Sequence, residues 1–182
     1  MGLGNPGDKY SGTRHNVGFK VIDLISDKIG IKLKKPTFKR FKIGKSEYRN
    51  KKIYLIKPLT YMNLSGEVIS DVLKYSNAEI SHLIVVCDTL DLPPGTIRLK
   101  RSGSSAGQKG LESIINITKT NNIIRMFIGI GRPLYKNNVI NYVLRRPSKE
   151  EADLLDEALD KAAESILKLA TSSIDSVMNE IN

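Results

Sequence analysis

The chain has 182 residues, of which 40% are hydrophobic and 26% are charged, and this composition excludes a disordered or fibrous protein. Its single cysteine, Cys87, excludes an internal disulfide and a cysteine-based zinc cluster, and we expect no metal and no other cofactor. The length predicts one domain over residues 1–182, and the absence of a signal-peptide pattern or of an apolar run of about 18 residues predicts a soluble, cytoplasmic protein.

The charge of the chain is distributed unevenly along the sequence. The formal net charge is +10 at pH 7. Residues 31–57 contain eleven lysines and arginines against one acid, Glu47, whereas residues 148–182 contain three basic and nine acidic residues, a net of −6. Clustered cations favour a polyanionic partner because binding releases counterions from the polyanion. A lysine-rich surface that is only solvated is the alternative.

The first half of the chain predicts two helices and a strand pair. Thr13 is a candidate N-cap for a helix that ends at Gly30. Alternating runs at 38–44 and 51–58 predict paired strands with a turn at 48–51, so the basic cluster lies on a hairpin. A second amphipathic helix is predicted over 65–75. The apolar face of the first helix carries Val17, Val21, Leu24, Ile25 and Ile29.

The second half alternates strands and helices. The apolar run LIVVCD (83–88) is typical of a buried strand and leaves Asp88 at its C-terminal end. A strand at 96–101, a Gly/Ser-rich loop, a helix from about Gly107 and a buried strand at 126–131 follow. Ser148 and Glu151 form a capping-box pattern that begins a long acidic helix, and a shorter helix is predicted at 172–181. This order predicts an α/β sandwich. The buried stripe of the long helix is Leu155, Leu159, Ala162, Ile166 and Leu169.

The segment GLGNPG (2–7) matches the dinucleotide fingerprint G-x-G-x-x-G, but its context does not fit. A dinucleotide site needs a complete strand before the motif and a helix that begins inside it. Only Met1 precedes the motif, Pro6 lies within it, and Asp23, the next acid at the right distance, lies in a helical pattern. We therefore reject a nicotinamide site.

Four residues have the chemistry that ester hydrolysis requires: Asn5, His15, Asn63 and Asp88. Hydrolysis without a metal needs a base that deprotonates water, a group that orients the base, and neutral donors for the developing oxyanion. Taken singly, each has an ordinary alternative: His15 as a capping or surface residue, Asp88 as a turn former and Asn63 as a helix N-cap.

Together these segments resemble the bacterial peptidyl-tRNA hydrolase family. GLGNPGDKYSGTRHNVGF (2–19), KPLTYMNLSG (57–66) and CDTLDLPPG (87–95) are similar to three signatures of that family. SSAGQKGLESI (104–114) and IGIGRP (128–133) match two further segments more loosely. The resemblance implies a monomeric α/β fold around a mixed, twisted sheet, and a metal-free esterase that acts on peptidyl-tRNA.

The resemblance also implies roles for the four candidates. His15 is then the general base that activates water, and Asp88 orients it and raises its basicity. Asn5 and Asn63 become donors to the substrate and to the oxyanion.

Three further positions acquire substrate contacts from the resemblance. Tyr10 would contact the terminal adenosine or the peptide. Met62 would line the peptide groove, with a purely structural place in the core as the alternative. Lys100 lies where the family has a cation for the phosphate at the 5′ end of the tRNA.

Three departures from the family pattern bear on the site. Gln108 and Lys109 replace a His-Asn pair at substrate-binding positions; we predict that Lys109 stabilises the transition-state charge or binds a phosphate, with a solvated loop lysine as the alternative. Phe127 occupies a position that is often Arg, although Arg125 is close by in sequence. Only Met1 precedes GLGNPG, so the first strand is expected to be short, and a misassigned start codon is one explanation.

Two other functions remain open at this point. The departures suit a non-catalytic RNA-binding relative with the same fold, although that hypothesis predicts loss of His15 and Asp88, which are both present. A hydrolase that acts on a non-RNA ester is disfavoured by the basic hairpin but is not excluded.

Overall fold

Helices and strands alternate along the computed structural model, which describes residues 1–133 and 138–182. A 3-10 segment, Arg14–Asn16, leads into α1, and another, Met62–Val68, leads into α2. The helices are α1 (Val17–Lys28), α2 (Ile69–Ser76), α3 (Lys109–Thr118), α4 (Val139–Val143), α5 (Lys149–Lys168) and α6 (Ile174–Ile181). The strands are β1 (Phe41–Tyr48), β2 (Lys51–Pro58), β3 (Ile84–Thr89), β4 (Ile97–Lys100) and β5 (Ile124–Gly129).

The central sheet is mixed, with the strand order β3-β5-β4. β3 runs parallel to β5, and β4 runs antiparallel to it. β1 and β2 form a separate antiparallel hairpin, whose two-residue turn at Arg49 and Asn50 has positive φ at both residues. Positive φ at both central residues is the geometry that matches the twist of a tight hairpin.

The N-terminal segment joins the hairpin to the sheet. The backbone N–H of Gly2 donates to Ile56 of β2 at 3.0 Å, and that of Leu3 donates to Val86 of β3 at 2.8 Å. Val86 returns a bond to Met1 at 2.9 Å. Backbone hydrogen bonds therefore run from the hairpin, through residues 1–3, to β3.

Helices cover both faces of the sheet. Val86, Met126 and Ile128 point into a core made with α1, α5 and α6, whereas Cys87 and Phe127 point into a second core made with α2 and α3. Alternate residues of a strand face opposite sides, which divides one apolar strand between two cores. The arrangement confirms the predicted α/β/α sandwich around a mixed sheet.

Gly18 allows α1 to lie directly against the sheet. A Cβ atom on Gly18 would lie 2.3 Å from the carbonyl oxygen of Val86 and 2.6 Å from the backbone nitrogen of Leu3. On the facing side, a Cβ atom on Gly2 would lie 2.1 Å from the carbonyl oxygen of Gly18. Distances this short leave no room for a side chain, so the first turn of α1 contacts the backbone of the sheet.

Most predicted elements are confirmed, including the capping box in which Ser148 and Glu151 begin α5. The predicted cap of the first helix is wrong: Thr13 precedes only the 3-10 segment, and the N-cap of α1 is Asn16. The hydroxyl of Thr13 instead donates to the carbonyl of Tyr10 at 2.8 Å. α4 was not predicted. Within the described parts of the chain, no helix combines the length and apolar character needed to cross a membrane.

Candidate active site

His15 and Asp88 form a buried pair at the C-terminal end of β3. Nδ1 of His15 lies 2.9 Å from Oδ2 of Asp88, and the two side chains are only 13% and 4% exposed. His15 is carried by the 3-10 segment before α1, and Asp88 by the end of β3, which α1 contacts at Gly18. A carboxylate only accepts, so Nδ1 carries the hydrogen of this bond and Nε2 presents a lone pair.

The surroundings make His15 more basic than a free imidazole. Burial lowers the pKa of His15, but the negative charge of Asp88 and its hydrogen bond together raise it by more. The pKa of His15 therefore lies above its ordinary value of 6.5. An oriented imidazole with a raised pKa has the properties of a general base.

Asn5 presents a free amide donor beside this pair. Its Oδ1 accepts from the backbone N–H of Met62 at 2.8 Å. Its backbone is held by Asn16, whose side chain accepts from the Asn5 N–H at 2.8 Å and donates to the Asn5 carbonyl at 2.9 Å. Nδ2 of Asn5 has no acceptor among the described residues, and Asn5 lines the same cleft as His15. The amide N–H groups are thus available to an oxygen in the cleft.

Gln108 fixes the other side of Asp88. Its Nε2 donates to Oδ1 of Asp88 at 2.9 Å, while its Oε1 accepts from the backbone N–H of Leu111 at 2.8 Å as the N-cap of α3. The same Nε2 lies 3.1 Å from Sδ of Met62. Gln108 is buried, and both ends of its amide have partners within the protein. Each oxygen of Asp88 therefore has one donor of its own.

A cleft of about 470 Å³ opens above these residues. One wall consists of apolar residues of α4 and its neighbours, and Met62 adds its buried thioether on the other side. A Cβ atom on Gly110 would lie 2.6 Å from that sulfur, so glycine at this position lets Met62 pack against α3. The predicted site residues that line the cleft are Asn5, His15, Met62, Asn63, Asp88, Gln108 and Lys109. The lining residues that were not predicted are Tyr61, Thr89, Leu90, Ala106, Gly107, Val139, Ile140, Val143 and Leu144.

Comparison with known proteins identifies the family. The family model described as peptidyl-tRNA hydrolase matches residues 1–182. The chain belongs to the peptidyl-tRNA hydrolase family. The peptidyl-tRNA hydrolases of Caldanaerobacter subterraneus subsp. tengcongensis and Bacillus subtilis are 42% and 43% identical to it over 181 residues, which cover 100% of this chain and 97% and 96% of theirs. The crystal structure of peptidyl-tRNA hydrolase from Acinetobacter baumannii matches with a TM-score of 0.94 at 36% identity, covering 100% of this chain and 92% of that one.

Lys109 forms an ion pair beside the cleft of this member of the peptidyl-tRNA hydrolase family. Its side chain is exposed at the cleft rim, and its Nζ lies 2.9 Å from Oε2 of Glu112, one turn along α3. The neighbouring carboxylate offsets part of the positive charge. The contact with substrate that we predicted for Lys109 stays a prediction.

Lys100 and Arg125 lie away from the cleft. Lys100 is exposed at the end of β4 and pairs with Arg125 of β5. Arg125 lies three residues before Ile128, which is the β5 residue that pairs with Asp88. Arg125 is fully buried and donates to four backbone carbonyls, so it is not available to a phosphate. Phe127 lies in the second core. The carbonyls that Arg125 contacts are those of Gly103, Ser104, Asn121 and Ile123.

Tyr10 stands beside the cleft and does not line it. Its ring packs edge-on against Tyr61, with centroids 6.4 Å apart, and Tyr61 is the cleft residue. Tyr61 lies inside the segment KPLTYMNLSG that carries the family resemblance. Its position next to Met62 was the sequence feature that could have identified it as a cleft residue.

Arg14 connects the turn that carries His15 to the apolar wall of the cleft. Its guanidinium lies 4.2 Å from the ring of Tyr142 in α4 and forms a 2.5 Å ion pair with Glu151. It also donates to one backbone carbonyl of α4 and to two just after that helix, while the hydroxyl of Tyr142 donates to the carbonyl of Ile130 at 2.6 Å. α4 is therefore tied to the residue next to His15. Those carbonyls belong to Tyr142, Arg145 and Arg146.

Proposed function

We propose that this chain hydrolyses the ester bond that joins a peptide, or an N-blocked amino acid, to the 3′ end of tRNA. The observation that carries the proposal is the His15–Asp88 pair with the free amide of Asn5 in one cleft, in a chain of the peptidyl-tRNA hydrolase family. A base, an orienting acid and a neutral donor are the groups that ester hydrolysis uses.

In the proposed reaction, Nε2 of His15 takes a proton from water as the water oxygen attacks the ester carbonyl. Asp88 stabilises the imidazolium that forms and keeps its orientation. The amides of Asn5 and Asn63 donate to the carbonyl oxygen, which becomes negatively charged in the tetrahedral state. The ester C–O bond then breaks, His15 gives its proton to the leaving ribose oxygen, and the products are the free peptide and deacylated tRNA.

The cleft walls suit the two halves of such a substrate. The apolar side chains of α4 offer contacts to peptide side chains, and Met62 is assigned to the same groove. Tyr10 and Tyr61 offer aromatic rings to the terminal adenosine. Gln108 acts through Asp88, and Lys109 remains our candidate for the transition-state charge or a nearby phosphate.

The basic hairpin and the lysines just before it are assigned to the phosphates of the tRNA. Lys32, Lys34 and Lys35 are exposed just before β1, and replacing the three with Ala is expected to flatten the salt dependence of tRNA binding. Lys100 is assigned to the 5′ phosphate, a contact separate from the catalytic cleft. We further propose that the chain acts as a single-domain monomer in the cytoplasm, where ribosomes produce peptidyl-tRNA.

The non-catalytic alternative has no support from the site. A relative that only binds RNA would have no use for an oriented imidazole with a raised pKa beside a free amide donor. The presence of both groups in one cleft supports the catalytic proposal.

The proposal is tested by incubating the protein with N-acetylaminoacyl-tRNA and measuring the deacylated tRNA released. The wild type should release it, and His15→Ala should lower the rate by about 10²- to 10⁴-fold, the usual contribution of a general base. Binding of tRNA by His15→Ala should change little, and its melting curve should show a folded protein. Hydrolysis by His15→Ala at the wild-type rate would contradict the proposal.

A further inference from the structure

Phe38 is a bulky aromatic residue that contributes nothing to either core. Its surface is 99% exposed. It lies in a turn in which the N–H of Lys39 donates to the carbonyl of Pro36 at 3.2 Å, and its φ is +60°. The third residue of such a turn is usually Gly or Asn, because a larger side chain strains a left-handed backbone. The fold therefore holds an aromatic ring in solvent at an unfavourable backbone position.

The turn that carries Phe38 is anchored through the two residues that follow Phe38. Lys39 forms an ion pair with Asp71 at 2.9 Å, and Arg40 forms one with Glu67 at 2.7 Å. The carbonyl of Arg40 also accepts from the N–H of Leu59 at 2.7 Å. These contacts hold the turn of Phe38 against α2 and the 3-10 segment that precedes it.

Unpaired cations precede and follow the turn of Phe38 in the sequence. Lys34, Lys35 and Lys42 are exposed, and the described chain offers no carboxylate partner to any of them. A protein partner would need a contiguous apolar face, which an isolated ring among lysines does not provide. An aromatic ring between cations is instead the arrangement that binds single-stranded nucleic acid, with a base on the ring and phosphates on the ammonium groups.

The position of Phe38 relative to the cleft fits such a partner. The carbonyl of Arg40 accepts a hydrogen bond from the N–H of Leu59, and Tyr61, which lines the cleft, lies two residues after Leu59. The Cα atoms of Phe38 and Tyr61 are therefore at most about 20 Å apart. This distance allows about 3.8 Å for each of the four residue steps and about 5 Å for the strand-like contact between Arg40 and Leu59. A few nucleotides that leave the cleft would reach the ring.

We propose that Phe38 stacks on an unpaired nucleotide at the single-stranded 3′ end of tRNA, and that Lys34, Lys35 and Lys42 bind the adjacent phosphates. The inference rests on the proposed function, because the ester bound in the cleft fixes where that 3′ end begins. Stacking accepts any base, so the contact would add affinity without restricting the tRNA species.

Phe38→Trp provides a direct test, because the chain contains no other tryptophan. Its emission, excited where tyrosine does not absorb, is followed while deacylated tRNA is added. We expect quenching by intact tRNA and none by tRNA trimmed of its unpaired 3′ nucleotides. Leu154→Trp, on the acidic helix α5, is the matched control and should not respond. Unchanged emission of Phe38→Trp, or equal quenching by trimmed tRNA, would overturn the proposal.

Kinetics separate ring stacking from simple apolar contact. Phe38→Leu should raise the KM for N-acetylaminoacyl-tRNA by about 5- to 150-fold and leave kcat unchanged, whereas Phe38→Tyr should behave as wild type. With N-acetylaminoacyl-adenosine, which lacks the upstream nucleotides, Phe38→Leu should match the wild type. A wild-type KM for Phe38→Leu on intact tRNA refutes stacking. Absence of wild-type hydrolysis refutes the proposed function, while the tryptophan signal still reports on stacking.

Discussion

Nε2 of Gln108 donates to Oδ1 of Asp88, the oxygen that does not contact His15. One residue thereby begins α3 as its N-cap and also orients the acid of the proposed catalytic pair. By the family resemblance, Gln108 stands at a position expected to be His, and its amide supplies Asp88 with a donor.

Gln108→Glu separates the two roles of Gln108, which are to cap α3 and to orient Asp88. The carboxylate still caps α3, but it cannot donate to Asp88 and adds negative charge near His15, so kcat should fall by about tenfold. The lower limb of the pH–rate profile should move to higher pH, because that charge favours the imidazolium. Gln108→Ala should also lose about 1 kcal/mol of stability, as should Ser173→Ala at the cap of α6, a control that leaves the site intact. An unchanged kcat for Gln108→Glu would mean that this donor does not orient Asp88.

Asp88→Asn should move the pH dependence in the opposite direction. His15 acts as a base only when neutral, so kcat/KM should fall as pH drops through its raised pKa. Without the charge of Asp88, burial alone acts on His15 and lowers its pKa, so the limb should shift to lower pH. The plateau rate should also fall by about 10²- to 10⁴-fold. A limb that stays in place would assign the titration to a group other than His15.

Lys109→Ala should lower kcat/KM by at least about tenfold if the ammonium acts on the substrate. Glu112→Gln is the matched variant, because it removes the carboxylate that holds Lys109 and should leave the rate equal or higher. Restoring the family pair with Gln108→His and Lys109→Asn should bring little gain or a loss. Robust hydrolysis that is indifferent to Lys109→Ala would show that Lys109 is only solvated.

Arg14→Met should loosen the wall of the cleft. It removes the guanidinium donor from Glu151 and from three carbonyls at and just after the end of α4, so we expect a loss of about 2 kcal/mol in urea unfolding and a higher KM. Arg132→Met removes an exposed ion pair with Asp91 and should cost less than about 1 kcal/mol. Equal losses in the two variants would contradict a special role for Arg14.

The effect of Arg14→Met should depend on pH in a defined direction. Partial burial raises the pKa of Glu151, but hydrogen bonds from the backbone of Ser148 and from Arg14 lower it by more, to below its ordinary value of 4.5. A carboxyl group with a lowered folded pKa stabilises the fold above its ordinary value and loses that contribution as pH falls. The stability difference between wild type and Arg14→Met should therefore shrink from pH 7 to about pH 3.

Local patterns predicted the elements of this fold well where apolar spacing and capping residues acted together. The run LIVVCD predicted β3 to within one residue at each end, and the capping box predicted the start of α5. Residue chemistry and the family resemblance selected seven of the residues that line the cleft, although the assignments of their roles stay predictions.

The contacts that sequence did not predict are those between distant segments. Gln108 and Asp88 are 20 residues apart, and Arg14 and Glu151 are 137 apart, so neither pair leaves a local pattern. The five-residue helix α4 was missed because its apolar residues do not span two turns of helical periodicity. Lys109 looked like a free cation because a pair at i, i+3 exists only once α3 has formed.

Because Gly18 has no side chain, it determines the distance between His15 and Asp88. α1 begins at the turn that holds His15, and Gly18 lets that helix lie on the backbone at Val86, two residues before Asp88. A single methyl group at this position would act as a wedge that lifts the helix and carries His15 away from Asp88. Gly18→Ala, a substitution outside the cleft, would then abolish activity without altering any reacting atom. The activity of Gly18 variants should therefore depend on the presence of a side chain and not on its polarity.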